Sequence, residues 1–167
     1  RDVGDAAFIA RARVVPLRNM GAALSAQAAW NLLQGLETLS LRIERICANA
    51  LAVAKHLESH PLVTWVHYAG LENHPDNALA QRYMNGHASG ILSFGIEGGQ
   101  AAGERFYDAL ALILRLVNIG DAKSCSSIPA STTHRQLNEQ ELKAAGVTPD
   151  MVRLSIGIEH IDDILAD

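Results

Sequence analysis

Met151-Val-Arg-Leu-Ser-Ile-Gly-Ile-Glu159 reads as one β-strand near the end of the chain. Period-two alternation puts Val152, Leu154 and Ile156 on one face and Arg153, Ser155 and Gly157 on the other. An arginine inside an apolar strand is costly unless something neutralises it. Its planar fork suits a carboxylate, either one of the protein's own or that of a small ligand. Spacing alone leaves both partners open.

Working outward, the strand is preceded by Asn138-Glu-Gln-Glu-Leu-Lys143, a brief helix with Asn138 as cap and Glu141 three residues on, closed by Gly146. It is followed by a terminal helix over 161–166. Upstream, strands are expected over Val63–Tyr68, Gly90–Glu97, Leu116–Ile119 and Ser124–Ile128. Helices are expected over Asp76–Met84 and Gln100–Leu114. Before them, Ser25 is a candidate N-cap for one long helix running to about His60. Leu32, Leu36, Leu39, Ile43, Ile46, Ala50, Val53 and Leu57 would form its apolar stripe. Gly35 marks a bend or close contact in it. Residues 6–14 form a short helix that Pro16 is expected to end, since proline disfavours the helical region at Val15. This order predicts an α+β fold: a mainly antiparallel sheet covered by helices on one face, preceded by a long linking helix.

Composition narrows the function. The chain has 167 residues, 49% of them apolar, enough for a sizeable core. A net charge of −4 without a basic stripe argues against nucleic acid. No apolar run is long enough to span a membrane, and no signal peptide is visible. Two cysteines, Cys47 and Cys125, make no disulfide framework and fit a reducing cytoplasm.

Several blocks together resemble one family. They are Gly21-Ala-Ala-Leu-Ser25, Gln34-Gly-Leu-Glu-Thr-Leu39, Leu41-Arg-Ile-Glu-Arg45 and Tyr68-Ala-Gly-Leu71 before His74-Pro75. Asn118-Ile-Gly-Asp-Ala-Lys-Ser124, Pro129-Ala-Ser-Thr-Thr-His134 and Arg153 to Asp167 complete the series. In this order they resemble the C-terminal domain of the Cys/Met-metabolism pyridoxal-phosphate enzymes, and within it the O-acetylhomoserine sulfhydrylases.

The resemblance implies a fold-type I C-terminal domain. Residues 1–24 would be the tail of a large cofactor domain, 25–60 a linking helix and 61–167 the small domain. It implies pyridoxal 5'-phosphate as cofactor, an O-acetylhomoserine-like amino acid and sulfide as substrates, and a homo-oligomer, typically a tetramer. The activity would be a transferase step of trans-sulfuration and methionine biosynthesis. Cystathionine gamma-synthase or gamma-lyase, or a non-catalytic interaction domain, are the alternatives.

Residue by residue, the resemblance makes Arg153 the anchor of a substrate carboxylate. It puts Asn118, Ser124 and Thr133 on the substrate side. Asn118 stands where several relatives carry serine; the competing role is a turn asparagine before Gly120. Ser124 and Thr133 compete with the ordinary habit of bonding local backbone.

Lys55, Lys123 and Lys143 lack the family's lysine context, so none is assigned to the cofactor, and no glycine-rich phosphate loop is present. The resemblance places Arg1-Asp-Val-Gly-Asp5 just after the family's cofactor-lysine region and so implies a C-terminal fragment, which is not expected to catalyse alone. His56 and His60 have ligand-like spacing but no third ligand, so no metal is assigned. Cys125 with His134 is a formal nucleophile pair with nothing to join it. Three departures stand out: Ile128 for a histidine before Pro-Ala-Ser, expected at the cleft floor, and Ile46 and Ala26, expected to affect packing.

Overall fold

A computed structural model describes residues 4–167. The chain divides into two compact units, one ending at Leu39 and one running Ser40–Asp167.

The first unit is helical. A short 3-10 turn (Gly4–Ala6) leads into α1 (Ala7–Ala12), a π turn (Arg13–Leu17) and α2 (Arg18–Met20). Pro16 does not end this run, contrary to expectation. It sits inside the wider π turn, where the clash between its ring and the preceding carbonyls is relieved. The run ends at Gly21 instead, in the left-handed region (φ 68°), whose N–H donates to Leu17 O at 2.8 Å. Ser25 then caps α3 (Ala26–Glu37), its Oγ accepting from Ala28 N–H at 3.1 Å.

The expected single helix to His60 is two helices. α3 passes through Gly35 unbroken, and Thr38 leaves the helical region (φ −106°) before α4 (Leu39–Glu58) begins. Threonine is β-branched and poorly suited to a helix interior. The apolar stripe is not continuous: Ile46, Ala50 and Val53 of α4 are buried, whereas Leu32 and Leu36 of α3 and Ile43 in the first part of α4 are exposed.

The second unit is the α+β body. Its strands are β1 (Val63–His67), β2 (Ile91–Ile96), β3 (Leu114–Arg115), β4 (Cys125–Ser127) and β5 (Met151–Ser155). They form one sheet in the order β1-β2-β5-β4-β3, antiparallel except for the β3–β4 pair. The helices are α5 (Asn77–Met84), α6 (Gly99–Ala109), α7 (Glu139–Ala144) and α8 (Ile161–Ala166).

One sheet face makes the core. Leu92 and Phe94 of β2 join Val152 and Leu154 of β5 and Ile156 just beyond it. They pack with Ala50, Val53 and Ala54 of α4 and Ile164 of α8. Phe106 of α6 meets Phe94 edge-on, ring centroids 5.6 Å apart. Helix α4 comes close to the start of β2 at Gly90, where any Cβ would collide with Ile46 Cγ2 and crowd Ile156 O. The alternation read from residues 151–156 is therefore the alternation that builds the fold.

Two boundaries differ from expectation for one reason. The helix expected to reach Leu114 stops at Ala109, and the strand expected over Leu116–Ile119 is Leu114–Arg115. The Asp167 carboxylate accepts N–H groups from Ala111, Leu112 and Ile113 at 2.7–3.0 Å. Those amides are thereby turned away from helical partners, and the chain straightens early. Asn138 and Glu141 form the expected capping box of α7.

Candidate substrate-binding site

Arg153 lies at the middle of β5, on the face turned away from the core. Its register partners are Ser93 on β2 and Ser127 on β4. Beyond Ser93 the row continues to His67 on β1. Arg153 is half-buried, whereas its neighbours Val152 and Leu154 are buried. Among the described residues no carboxylate lies within 4 Å of its guanidinium and it makes no hydrogen bond. The ion pairs there are Arg115–Asp108 (3.5 Å) and His160–Asp162 (3.7 Å), both exposed. A half-buried guanidinium without a protein counterion retains its whole fork for another acceptor.

The loop before β4 contains Asn118 and Ser124. Asn118 is exposed and holds its own turn: Nδ2 donates to Asp121 Oδ2 (2.8 Å), and Oδ1 accepts from Ile119 N–H (2.9 Å). Asp121 Oδ1 in turn accepts from Lys123 N–H at 3.1 Å. These bonds, the one from Lys123 first, hold the Asp121 carboxyl below its ordinary pKa.

Ser124 is fully buried and its hydroxyl is occupied. Oγ donates to Glu159 Oε2 (3.0 Å) and accepts from Gly157 N–H (2.9 Å), while Ser124 N–H donates to Glu159 Oε1 (2.6 Å). Asn49 of α4 holds the same bend from the other side, donating to Gly157 O (3.1 Å) and Glu159 O (2.9 Å). Gly157 is obligatory here, because a Cβ would strike Ala122 O and the Glu159 carboxylate. Thr133 is exposed, with Oγ1 2.8 Å from His134 Nδ1. Sequence matching thus marks four positions, of which the structure leaves Arg153 with no side-chain partner. Asn118, Ser124 and Thr133 each already have partners within the protein.

Sequence reasoning missed Ser93 and Ser127. The signal existed: alternation along 90–97 and 124–128 puts both on the arginine face once the strands are paired. Pairing, however, is not written in any one strand.

The other candidates resolve as follows. Cys125 is buried, its Sγ 3.3 Å from Lys123 O, and burial first, then the Asp121 and Glu159 charges, raise its pKa. That favours the thiol over a nucleophilic thiolate. Lys55, Lys123 and Lys143 are all exposed. Ile128 is buried and its Cδ1 lies toward Gly103 of α6, so it is a packing residue rather than part of a cleft floor. Ile46 is likewise buried. His56 and His60 stand with ring centroids 6.2 Å apart, and no group of three metal-ligating side chains exists among the described residues.

His67 and His74 touch, with His74 Nε2 3.2 Å from His67 Nδ1. Because His74 Nδ1 accepts from Asp76 N–H (3.1 Å), its proton is on Nε2 and donates to His67. A cavity of about 600 Å³ lies on the helical side of the sheet, between α4, α6 and α8. It contains none of the four marked positions, and Arg153 is on the opposite face of the sheet.

Comparison with known proteins follows the same line. A family model described as Cys/Met metabolism PLP-dependent enzyme matches residues 4–167. Sulfhydrylase FUB7 of Fusarium oxysporum is 50% identical over 164 residues, covering 98% of this chain and 38% of the relative. O-acetyl-L-homoserine sulfhydrylase 1 of Thermus thermophilus is 48% identical over 164 residues, covering 98% of this chain and 39% of the relative. A crystal structure from Campylobacter jejuni, assigned as an O-acetylhomoserine (thiol)-lyase and bearing a pyridoxyl-lysine monophosphate, superposes with a TM-score of 0.88. It is 45% identical, over 96% of this chain and 38% of that one. The chain thus spans about two-fifths of the length of the relatives it matches.

Proposed function

The chain belongs to the Cys/Met metabolism PLP-dependent enzyme family, and from that premise we propose that it is the substrate-carboxylate-binding part of an O-acetylhomoserine sulfhydrylase-like transferase. The observation that carries this reading is Arg153: half-buried, rigidly placed on a central strand, and without a protein carboxylate among the described residues. A structural ion pair, the basis of the non-catalytic alternative, has no partner there.

Arg153 would take both oxygens of the amino-acid carboxylate in a bidentate pair, which fixes orientation as well as affinity. Holding the carboxylate holds the substrate's α-carbon, a positioning contribution to reactivity. Asn118 and Thr133 would border the same space, and Ser124 would hold the loop that carries Asn118. The family's cofactor is an electron sink for carbanion chemistry. The residues present do not make its site: all three lysines are exposed, and the sequence carries no glycine-rich phosphate-binding loop. No chemical step is therefore assigned to this chain, and on its own it would be inactive. Residues 1–24, 25–60 and 61–167 would serve as tail of the cofactor domain, linker and small domain of a cytoplasmic homo-oligomer. Among the described residues no helix is long and apolar enough to cross a membrane.

The test is Arg153→Ala in the full-length protein, assayed with O-acetylhomoserine and sulfide and, in parallel, with cystathionine and methionine. The substrate KM should rise about tenfold or more, as for loss of a charge-assisted pair. An unchanged KM would remove the clamp, and turnover of cystathionine or methionine instead would move the protein to a neighbouring activity. A single-lysine, borohydride-trappable adduct of the isolated chain with pyridoxal phosphate would overturn its assigned inactivity.

A further inference from the structure

The cavity between α4, α6 and α8 owes its character to helical spacing. On α6, Ala102, Arg105 and Phe106 stand three and four residues apart, so one face of the helix presents two apolar side chains and a cation to it. Phe94, Ile113 and Leu154, all buried, continue the apolar wall. Protein interiors seldom leave voids larger than a water molecule. A space of about 600 Å³ walled by apolar side chains has instead the size and lining of a small-molecule site.

Its polar lining is His56, His60, Glu97, Arg105 and Asp167. The Asp167 carboxylate is already taken by three amides. His60 Nδ1 accepts from Leu62 N–H at 3.2 Å, and its ring lies beside that of His56. Arg105 and Glu97 remain. Both are exposed, and among the described residues neither makes a hydrogen bond or an ion pair, with each other or with any other group. One unpaired surface charge is ordinary. Here two of opposite sign border the same apolar space without neutralising each other.

We propose that this cavity binds an apolar α-amino acid: Arg105 takes its carboxylate, Glu97 its ammonium, and the wall around Phe94 and Phe106 its side chain. The guanidinium fork suits a carboxylate, and a carboxylate accepts the N–H groups of an ammonium. A fatty acid would satisfy Arg105 alone and an apolar amine Glu97 alone. In either case the other charge would lose water to the ligand without gaining a partner. A zwitterion with an apolar tail satisfies both. The cavity is on the opposite face of the sheet from Arg153, so this ligand is separate from the substrate proposed for that arginine, and the inference stands without that reading.

The experiment titrates the isotope-labelled 167-residue chain with L-phenylalanine, with phenylpropionate, which lacks the ammonium, with phenylethylamine, which lacks the carboxylate, and with L-aspartate, which lacks the apolar tail. L-phenylalanine should move the amide resonances of Phe106, Ile113 and Ile164 saturably. Phenylpropionate and phenylethylamine should each bind about tenfold or more weakly, the usual effect of losing a charge-assisted bond, and L-aspartate should not bind. Arg105→Gln should lower L-phenylalanine to the affinity of phenylethylamine, and Glu97→Gln to that of phenylpropionate. Both positions are exposed, so neither change should disturb the fold. Arg153→Ala should leave the titration as it is. The site is overturned by no saturable shift at these amides, by phenylpropionate binding as well as L-phenylalanine, or by an Arg105→Gln or Glu97→Gln chain that binds normally. A shift that vanishes with Arg153→Ala would put the amino acid on the other face, with the same result. So would shifts at the cavity amides that grow with protein concentration alone, which would seat a second copy there.

Discussion

Replacing Ser124 by alanine separates two readings of that residue. Matched by sequence alone, Ser124 is a substrate contact, and its loss would weaken substrate binding and leave the fold intact. The structure makes it the staple between the loop before β4 and the bend after β5. Ser124→Ala removes a donor from the Glu159 carboxylate, a charge-assisted bond worth about 1.5–3 kcal/mol. It also leaves the Gly157 N–H without its acceptor, at about 1–3 kcal/mol. Relaxation of the bend and water entry recover part of this, so the expected loss is about 3 kcal/mol. For a domain of this size that lowers Tm by about 6–12 °C.

Urea unfolding followed by circular dichroism would measure the loss. Asn49→Ala, which removes the donor to Gly157 O and Glu159 O, should cost a similar amount, about 2–4 kcal/mol. Because both side chains hold one bend, the double variant should lose less than the sum, with a coupling of about 1 kcal/mol or more. A Ser124→Ala chain whose stability changes by less than about 0.5 kcal/mol would refute the staple, and so would strict additivity with Asn49→Ala.

Three further outcomes follow from packing and charge. Gly90→Ala should destabilise the chain by about 1–3 kcal/mol in the same unfolding assay, since its Cβ would fall on Ile46 Cγ2; a neutral result would mean α4 can withdraw from β2. For Asp167, burial raises the pKa but the N–H groups of Ile113, Leu112 and Ala111 more than reverse it, so the folded value lies below the ordinary one. Its contribution is thus present above the unfolded value of about 3.9 and lost as pH falls through the lower folded value. Asp167→Asn should flatten the pH dependence of stability in that acid range, and an unchanged slope would contradict the cap. Cys47 and Cys125 both have thiols raised mainly by burial, so a thiol reagent at about pH 8 should label neither in the native chain and both after unfolding. Rapid native labelling of Cys125 would reopen its case as a nucleophile.

The fold was legible where a local pattern had one physical solution. Alternation at 151–156 requires a strand with a core face, and the capping box at Asn138 requires a helix start. Ser25 shows the same, a side chain whose chemistry stops a helix wherever the tertiary fold places it. The errors arose where a distant residue decides the outcome. No pattern within 100–119 announces that Asp167 will collect the amides of Ala111 to Ile113 and end α6 early. Pro16 failed as a stop signal because the helix had another option, a wider turn, which local sterics do not forbid.

The candidate site shows the same division more sharply. Arg153 could be found from its own strand, because an arginine opposite an apolar face demands explanation in any fold. Ser124 is less legible: residue matching marks a position as important without saying whether the side chain meets a ligand or another part of the protein. Its bonds to Glu159 and Gly157, thirty-odd residues away, appear only in the folded structure. A serine in a short strand such as Ser127 carries no signal until the register with β5 sets it against the arginine. The residue that makes a charge visible is local, whereas the residues set beside it are fixed by pairing. A candidate position of this kind is therefore legible in one dimension and its cross-strand neighbours only in three.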